Sequence, residues 1–249
     1  MMDLEKREER FNKFCSRFSC KQLGRLVSDY RIPTQQFASL KTATMFYMSR
    51  CLPQQEIILD EDTLMETFTD QLDSMANITP NGKIKPKPHL ILDYNMVIRS
   101  FVDIIDSLNI NDLICGVRAP CLRYKASIVS DESLDRPYAS EKPHADAWRG
   151  HPENTIILHI PMLGDLENNY VKLYSTPETY KNSWSNMLPD YAQFETIIQE
   201  YEEIDHTPES SHIYLLDCVT LHHTARNPNA GPRVSFEMLC VLKEEIGTP

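Results

Sequence analysis

The sequence predicts a mainly β chain with a helical N-terminal extension, the core being an antiparallel jelly roll. Three observations carry that expectation. Short apolar or alternating segments recur through the second half, at 122–129, 154–161, 170–174, 212–217, 219–222 and 234–242. Turn-rich pieces separate them, as a jelly roll requires. The first hundred residues instead carry apolar positions at helical spacing.

Taken in order, residues 1–75 read as helices with polar breaks, and 57–74 is an acidic amphipathic stretch. Residues 77–88, with Pro80, Gly82, Pro86 and Pro88, read as a loop or hinge. From 90 to 108, Ile91, Met96, Val97, Phe101, Ile104, Ile105 and Leu108 mark a support helix lying on a sheet, ended by 109–111. The strand candidates follow. Two insertions interrupt them. Residues 130–142 form a polar loop, placed where a lid over a barrel mouth would lie. Residues 190–202, with Tyr191, Phe194, Ile197, Ile198 and Tyr201, read as an acidic helix. The 249 residues are expected to form a single catalytic domain, with 1–110 as mainly helical support and 111–243 as the β core. No internal repeat is evident.

Composition bounds the function. A net charge of −11 and a pI of about 5.2 argue against a nucleic-acid partner, because phosphate binding draws on clustered Lys and Arg. Seven cysteines form no CxxC pair and several lie in apolar strands, which fits free thiols in a reducing, cytoplasmic compartment. The start, Met1 to Glu8, is charged and is not expected to be a signal peptide. No stretch approaches a membrane span, so no membrane partner is expected. Asn77-Ile78-Thr79 matches a glycosylation sequon, but Pro80 follows it.

The chemistry sits in two segments. Lys142-Pro143-His144-Ala145-Asp146-Ala147-Trp148 holds a His-x-Asp pair, whose members share one face if the segment is a strand. Asp217-Cys218-Val219-Thr220-Leu221-His222 brings a distant His, with Arg233 eleven residues beyond it and Ser235 after that. His144, Asp146 and His222 together make a two-His, one-carboxylate facial triad, which leaves coordination positions of a metal open. His-x-Asp by itself is a weak signal, because many chains carry one as a surface His beside a solvated carboxylate. The added His and Arg-x-Ser strengthen it. Arg233 and Ser235 share a face of the last strand, and a guanidinium fork matches a carboxylate. His223, adjacent to His222, is an alternative ligand; strand alternation lets only one of them face inward. His89, His151, His159, His206 and His212 have no partner at ligand spacing and read as surface or core histidines, with His151 near enough to the motif to line a pocket.

Over about residues 120–243 the chain resembles the Fe(II)- and 2-oxoglutarate-dependent dioxygenases, in the branch related to phytanoyl-CoA dioxygenase and ectoine hydroxylase. The segment Asp217 to His222 and the step to Arg233 carry the resemblance, and it favours His222 over His223. The stretch from His144 through Trp148 and Arg149 to Asn154 is similar to members found among carbohydrate and aminoglycoside biosynthesis enzymes. The resemblance implies a double-stranded β-helix (cupin-like) core, iron(II) on His144, Asp146 and His222, and 2-oxoglutarate and O2 as co-substrates. It places the far carboxylate of 2-oxoglutarate on Arg233 and Ser235, with Arg123 or Lys125 as the anchor of the other carboxylate. It implies hydroxylation or related C–H oxidation of a small polar metabolite: a sugar, an aminocyclitol or an amino-acid-derived intermediate. Asp146 argues against halogenation, for which a small residue vacates the carboxylate position.

Trp148 and Arg149 are candidate substrate-pocket residues, although a buried structural Trp is an equal reading. Lys125 on a strand has an outward-facing alternative. Two rival functions stay open: a cupin-like metal-dependent isomerase or epimerase, and a non-catalytic ligand-binding barrel. The presence of Arg233 and Ser235 argues against the first, and the intact triad against the second. Oligomeric state is not readable.

Overall fold

The computed structural model describes residues 2–54, 56–75, 77–128 and 134–243. Four helices of ten or more residues lie in the first half: α1 (Leu4–Cys15), α2 (Thr34–Cys51), α3 (Glu61–Asp70) and α4 (Ile91–Leu108). Among the described residues the strands are β1 (Lys21–Gly24), β2 (Val27–Arg31), β3 (Lys83–Ile84), β4 (Ile114–Lys125), β5 (Thr155–Gly164), β6 (Asn169–Ser175), β7 (Glu202–Glu203), β8 (His212–Asp217), β9 (His222–Arg226) and β10 (Arg233–Leu242). They form two sheets, a seven-stranded one ordered β1-β2-β8-β5-β10-β4-β3 and a three-stranded one ordered β7-β6-β9. Every pairing is antiparallel.

Several expectations need correction. The stretch 1–75, read as helices with polar breaks, also carries β1 and β2 at the edge of the large sheet, and the loop expected at 77–88 carries β3, which pairs with β4. The strand expected at 122–129 begins earlier, at Ile114, and ends at Lys125. Residues 219–221 belong to the turn after β8, and the next strand starts at His222. The inserted segment 190–202 is not a continuous helix but two short helical turns, Tyr191–Phe194 and Glu195–Ile198. Of the loop expected at 130–142, residues 130–133 lie outside the described residues.

The large sheet is covered on both faces. On one side α4 presents Tyr94, Val97, Phe101, Ile104, Ile105 and Leu108, all buried. Phe101 meets Phe236 of β10 with ring centroids 4.4 Å apart, a burial that contributes about 2 kcal/mol. Asn109 ends α4 in the left-handed conformation (φ 54), a role Asn tolerates. On the other side Val27, Ile157, Tyr214 and Leu216 of the large sheet pack on Leu173 of the small one. A strand buried on both faces reads as one apolar run, which explains why β5 (TIILHIPMLG) lacks alternation.

Two prolines shape the strands around the site. Pro161 cannot donate to the ladder, and the β5–β10 register shifts beside it, between Val234 and Ser235. Pro120 sits in a second irregularity, where Glu237 pairs with Cys121 but Leu239 with Arg118.

Candidate metal centre

His144 forms an isolated bridge with His222, and each backbone N–H donates to the other's carbonyl at 2.9 Å. Asp146 then opens a short 3-10 turn, Asp146–Arg149. Its Ala147 N–H donates to the Cys218 carbonyl at 2.8 Å, tying this turn to the one that leads into His222. The His-x-Asp pair therefore lies on a bridge residue followed by a turn, not on a strand. Only Ala145 between them is extended (φ −109, ψ 140).

Ligand atoms of His144, Asp146 and His222 all lie within 4.8 Å of one another, a group able to hold a metal ion. Their outer partners fit that task. Nδ1 of His144 lies 2.7 Å from the Lys142 carbonyl, and Nδ1 of His222 lies 3.1 Å from the Thr220 carbonyl. A carbonyl only accepts, so both Nδ1 atoms carry the proton and both Nε2 atoms keep a lone pair. Burial, then the neighbouring His222, hold the His144 pKa well below the ordinary histidine value. Tyr191 stacks on the His144 ring at 4.5 Å and 8°.

His223 lies outside this group. It pairs across β6 with Lys172, while His222 pairs with Leu173, so the two imidazoles leave β9 on opposite faces. The His223 ring stacks beside Tyr174 at 5.8 Å. Burial, followed by the Lys172 charge, pushes its pKa down to about 4.

Arg233 opens β10 fully buried, at 1% exposure. Its Nε donates to Asn169 Oδ1 at 3.2 Å and Nη2 to Thr224 Oγ1 at 3.5 Å. Asn169 is itself oriented by donating to the carbonyls of Lys125, Ala126 and Gly231. Arg233 Nη1 and Ser235 Oγ are buried with no protein partner. Leaving a guanidinium nitrogen so is costly unless an acceptor arrives. Burial draws the Arg233 pKa down to about 10.

Lys125 stands opposite Arg233 across β4–β10 and is buried. Its Nζ donates to Ser140 Oγ at 2.5 Å and Glu141 Oε1 at 3.0 Å. Glu141 also meets Arg226 at 3.5 Å. Two cations, Lys125 and Arg226, thus share one carboxylate, and burial lowers the lysine pKa to about 8. Arg123, the other candidate anchor, grips Glu237 through two bonds of 2.8 and 2.6 Å.

A cavity of about 190 Å³ opens over the metal group, lined among others by His144, Asp146, His222, Thr224, Arg149 and His151. Arg149 and His151 border it. Trp148 does not border it: the ring is 1% exposed, packs with Tyr191, Leu188 and Leu221, and donates Nε1–H to the Trp184 carbonyl at 2.6 Å. Of its two readings, the structural one describes its surroundings.

Sequence reasoning passed over several residues here. Thr224 and Arg226 follow His222 at strand alternation, and Glu237 follows Ser235 in the same way, so the period-two signal was there to extend. His159, set aside for want of a partner, faces Glu237 across β5–β10, with Nδ1 3.8 Å from its carboxylate. Asn169, Glu141 and Tyr191 come from separate elements and carry no local signal.

No family model matches the chain, and no curated protein matches it. Solved structures do. EvdMO1 is 14% identical with a TM-score of 0.51, over 93% of this chain and 50% of that one. AviO1 from Streptomyces viridochromogenes Tue57 is 12% identical with a TM-score of 0.48, over 100% and 99% of the two chains. An N-substituted L-amino acid dioxygenase from Burkholderia ambifaria AMMD is 11% identical with a TM-score of 0.48, over 95% and 88%. The likeness to EvdMO1 shows a shared fold, spanning half the length of that protein.

Proposed function

We propose that this chain is a non-haem iron(II)- and 2-oxoglutarate-dependent oxygenase built on a double-stranded β-helix core. One juxtaposition carries the reading: three metal-ligand side chains line a cavity with Thr224, and behind Thr224 lies the buried Arg233 guanidinium. The donor set of two neutral imidazoles and one carboxylate suits iron(II) and leaves open positions. Arg233 Nη1 and Ser235 Oγ, both buried and unpartnered, are the groups a carboxylate would satisfy. Iron, when bound, supplies the power to activate O2 as 2-oxoglutarate is decarboxylated to succinate and CO2.

The protein's own residues do the rest. His144, Asp146 and His222 hold the ion, with the Lys142 and Thr220 carbonyls fixing the imidazole tautomers. Arg233 and Ser235 receive the far carboxylate of 2-oxoglutarate, and the cations of Lys125 and Arg226 around Glu141 favour the same anion. For the second carboxylate Arg123 remains the nearer anchor by position, since it lines the cavity and Lys125 does not. The primary substrate is a small polar metabolite that enters past Arg149 and His151 and undergoes hydroxylation or a related C–H oxidation. Candidates are a sugar, an aminocyclitol or an amino-acid-derived intermediate.

The test is succinate formation from 2-oxoglutarate by the purified protein without primary substrate. Slow turnover that requires both iron(II) and O2, and disappears in His222→Ala, is expected. Iron binding with no succinate under any condition would overturn the oxygenase reading and favour a metal-dependent isomerase.

A further inference from the structure

The cavity mouth is cationic in a chain whose net charge is −11. Lys83 pairs with Arg123 across β3–β4, Arg123 with Ser235 and Arg118 with Leu239 across β4–β10. Directly opposed residues of antiparallel strands share a face, so Lys83, Arg118 and Arg123 all lie on the side of Ser235 and Leu239, and all border the cavity. Arg149 is the last residue of the turn that Asp146 opens, and its guanidinium lies 4.9 Å from the Tyr138 ring centroid. The hairpin that brings Lys83 is fixed by Gly82 (φ +77), where an added Cβ would lie 1.9 Å from the Tyr124 carbonyl oxygen.

The lining holds four cations and two carboxylates, Asp146 and Glu237. Glu237 is taken by Arg123, and Asp146 belongs to the metal group. Among the described residues no carboxylate forms an ion pair with Lys83, Arg118 or Arg149. His151, whose Nδ1 is buried without a partner, borders the same cavity as these three charges. Cations gathered beside a divalent metal ion repel it and one another unless an anion joins them. Arg233 lies behind Thr224, a lining residue, and does not itself border the cavity, so it is a different group from these three cations.

We infer that Lys83, Arg118 and Arg149, with His151, form a second anion site that binds a phosphoryl group on the primary substrate. This rests on the proposed oxygenase reading for the neighbouring centre and narrows its substrate to a phosphorylated small metabolite. Three cations with no carboxylate partner match a dianion better than the single charge of a carboxylate.

The probe is inorganic phosphate, titrated calorimetrically into the full-length metal-free protein, with acetate in parallel. Wild type is expected to bind phosphate more tightly than acetate. Arg118→Gln/Arg149→Gln is expected to weaken phosphate by about tenfold or more, whereas Arg233→Ala leaves this binding in place. Both changed arginines are exposed, so the fold should tolerate them, and Arg118→Lys/Arg149→Lys should recover part of the affinity. Phosphate that fails to bind, binds no better than acetate, or is lost equally in Arg233→Ala overturns the inference. Anaerobic titration with iron(II) and 2-oxoglutarate separates the two readings. A visible charge-transfer band in both wild type and the double Gln variant, without phosphate binding, removes only the second site. Phosphate binding as expected with no band removes the oxygenase reading instead.

Discussion

His144 and His222 are direct cross-strand partners: their backbones exchange two hydrogen bonds of 2.9 Å and their ring centroids lie 4.4 Å apart. One bridge thus sets the distance between two of the three candidate ligands. Each ring is then turned by a carbonyl two residues before it, at Lys142 and Thr220. His222→Ala or His144→Ala should therefore lower metal affinity by at least about a hundredfold, since loss of even an outer partner costs about 10–100-fold. His223→Ala should change it by less than about threefold. Cobalt(II) titration followed by absorbance checks all three variants.

Arg233 should dominate 2-oxoglutarate binding. Truncating one partner of a buried charge pair costs about 2–5 kcal/mol, so Arg233→Ala should raise the dissociation constant by about 30-fold or more. Ser235→Ala removes a single neutral hydrogen bond and should cost about tenfold or less. Asn169→Ala should fall between them, because Asn169 holds the Arg233 Nε. Calorimetry on metal-loaded, anaerobic protein gives the three constants.

The Lys125 pKa of about 8 gives this binding a pH signature. Above that value the lysine is neutral and the surroundings of Arg233 lose a positive charge, so 2-oxoglutarate affinity should fall between about pH 7 and 9. Lys125→Met should bind more weakly at pH 7 and show a flatter profile across the same window. A profile identical to wild type would remove Lys125 from the anion site.

Stability should fall on the acid side. His144, His159 and His223 all have pKa values lowered in the folded state, burial being the first cause of each. The unfolded chain then binds more protons below about pH 6.5, and stability drops as pH falls through that value. For His223 the loss continues toward its folded value of about 4. Thermal melts of metal-free protein at pH 7.5, 6.5 and 5.5 should show a decreasing Tm, and His223→Gln should reduce the slope.

The N-terminal helix reaches the site through a buried ion pair. Arg7 of α1, 0% exposed, donates to Asp217 at 3.1 Å, and Asp217 caps the Val219 N–H of the turn leading to His222. Asp217→Ala leaves a buried guanidinium unpaired and should cost about 3–5 kcal/mol in denaturant unfolding. Joint replacement, Arg7→Met with Asp217→Leu, should recover much of that loss.

Much of this organisation was legible in the sequence, where local periodicity and short spacings carried it. Helix α4 declared itself through apolar spacing, β8 through its short apolar run and β10 through its alternation. His144, Asp146, His222, Arg233 and Ser235 came from motif spacing, and the structure gathers the first three into one donor group. Strands β1 and β2 were hidden because their seven-stranded partner sheet is built mostly from residues far along the chain. The cationic mouth was invisible for the same reason: Lys83, Arg118 and Arg149 are brought together only by the β3–β4 pairing and the turn after Asp146. Trp148 was ambiguous because a buried indole and a pocket wall look alike until its N–H finds the Trp184 carbonyl.

The central claim is that one site holds iron(II) and 2-oxoglutarate together. Anaerobic titration with iron(II) and then 2-oxoglutarate tests it most directly, read by the weak visible charge-transfer band of a bidentate chelate on iron(II). The account predicts that the band appears with 2-oxoglutarate, is absent in Asp146→Ala, and needs much higher 2-oxoglutarate in Arg233→Ala. Tight iron(II) binding with no band at saturating 2-oxoglutarate would contradict it.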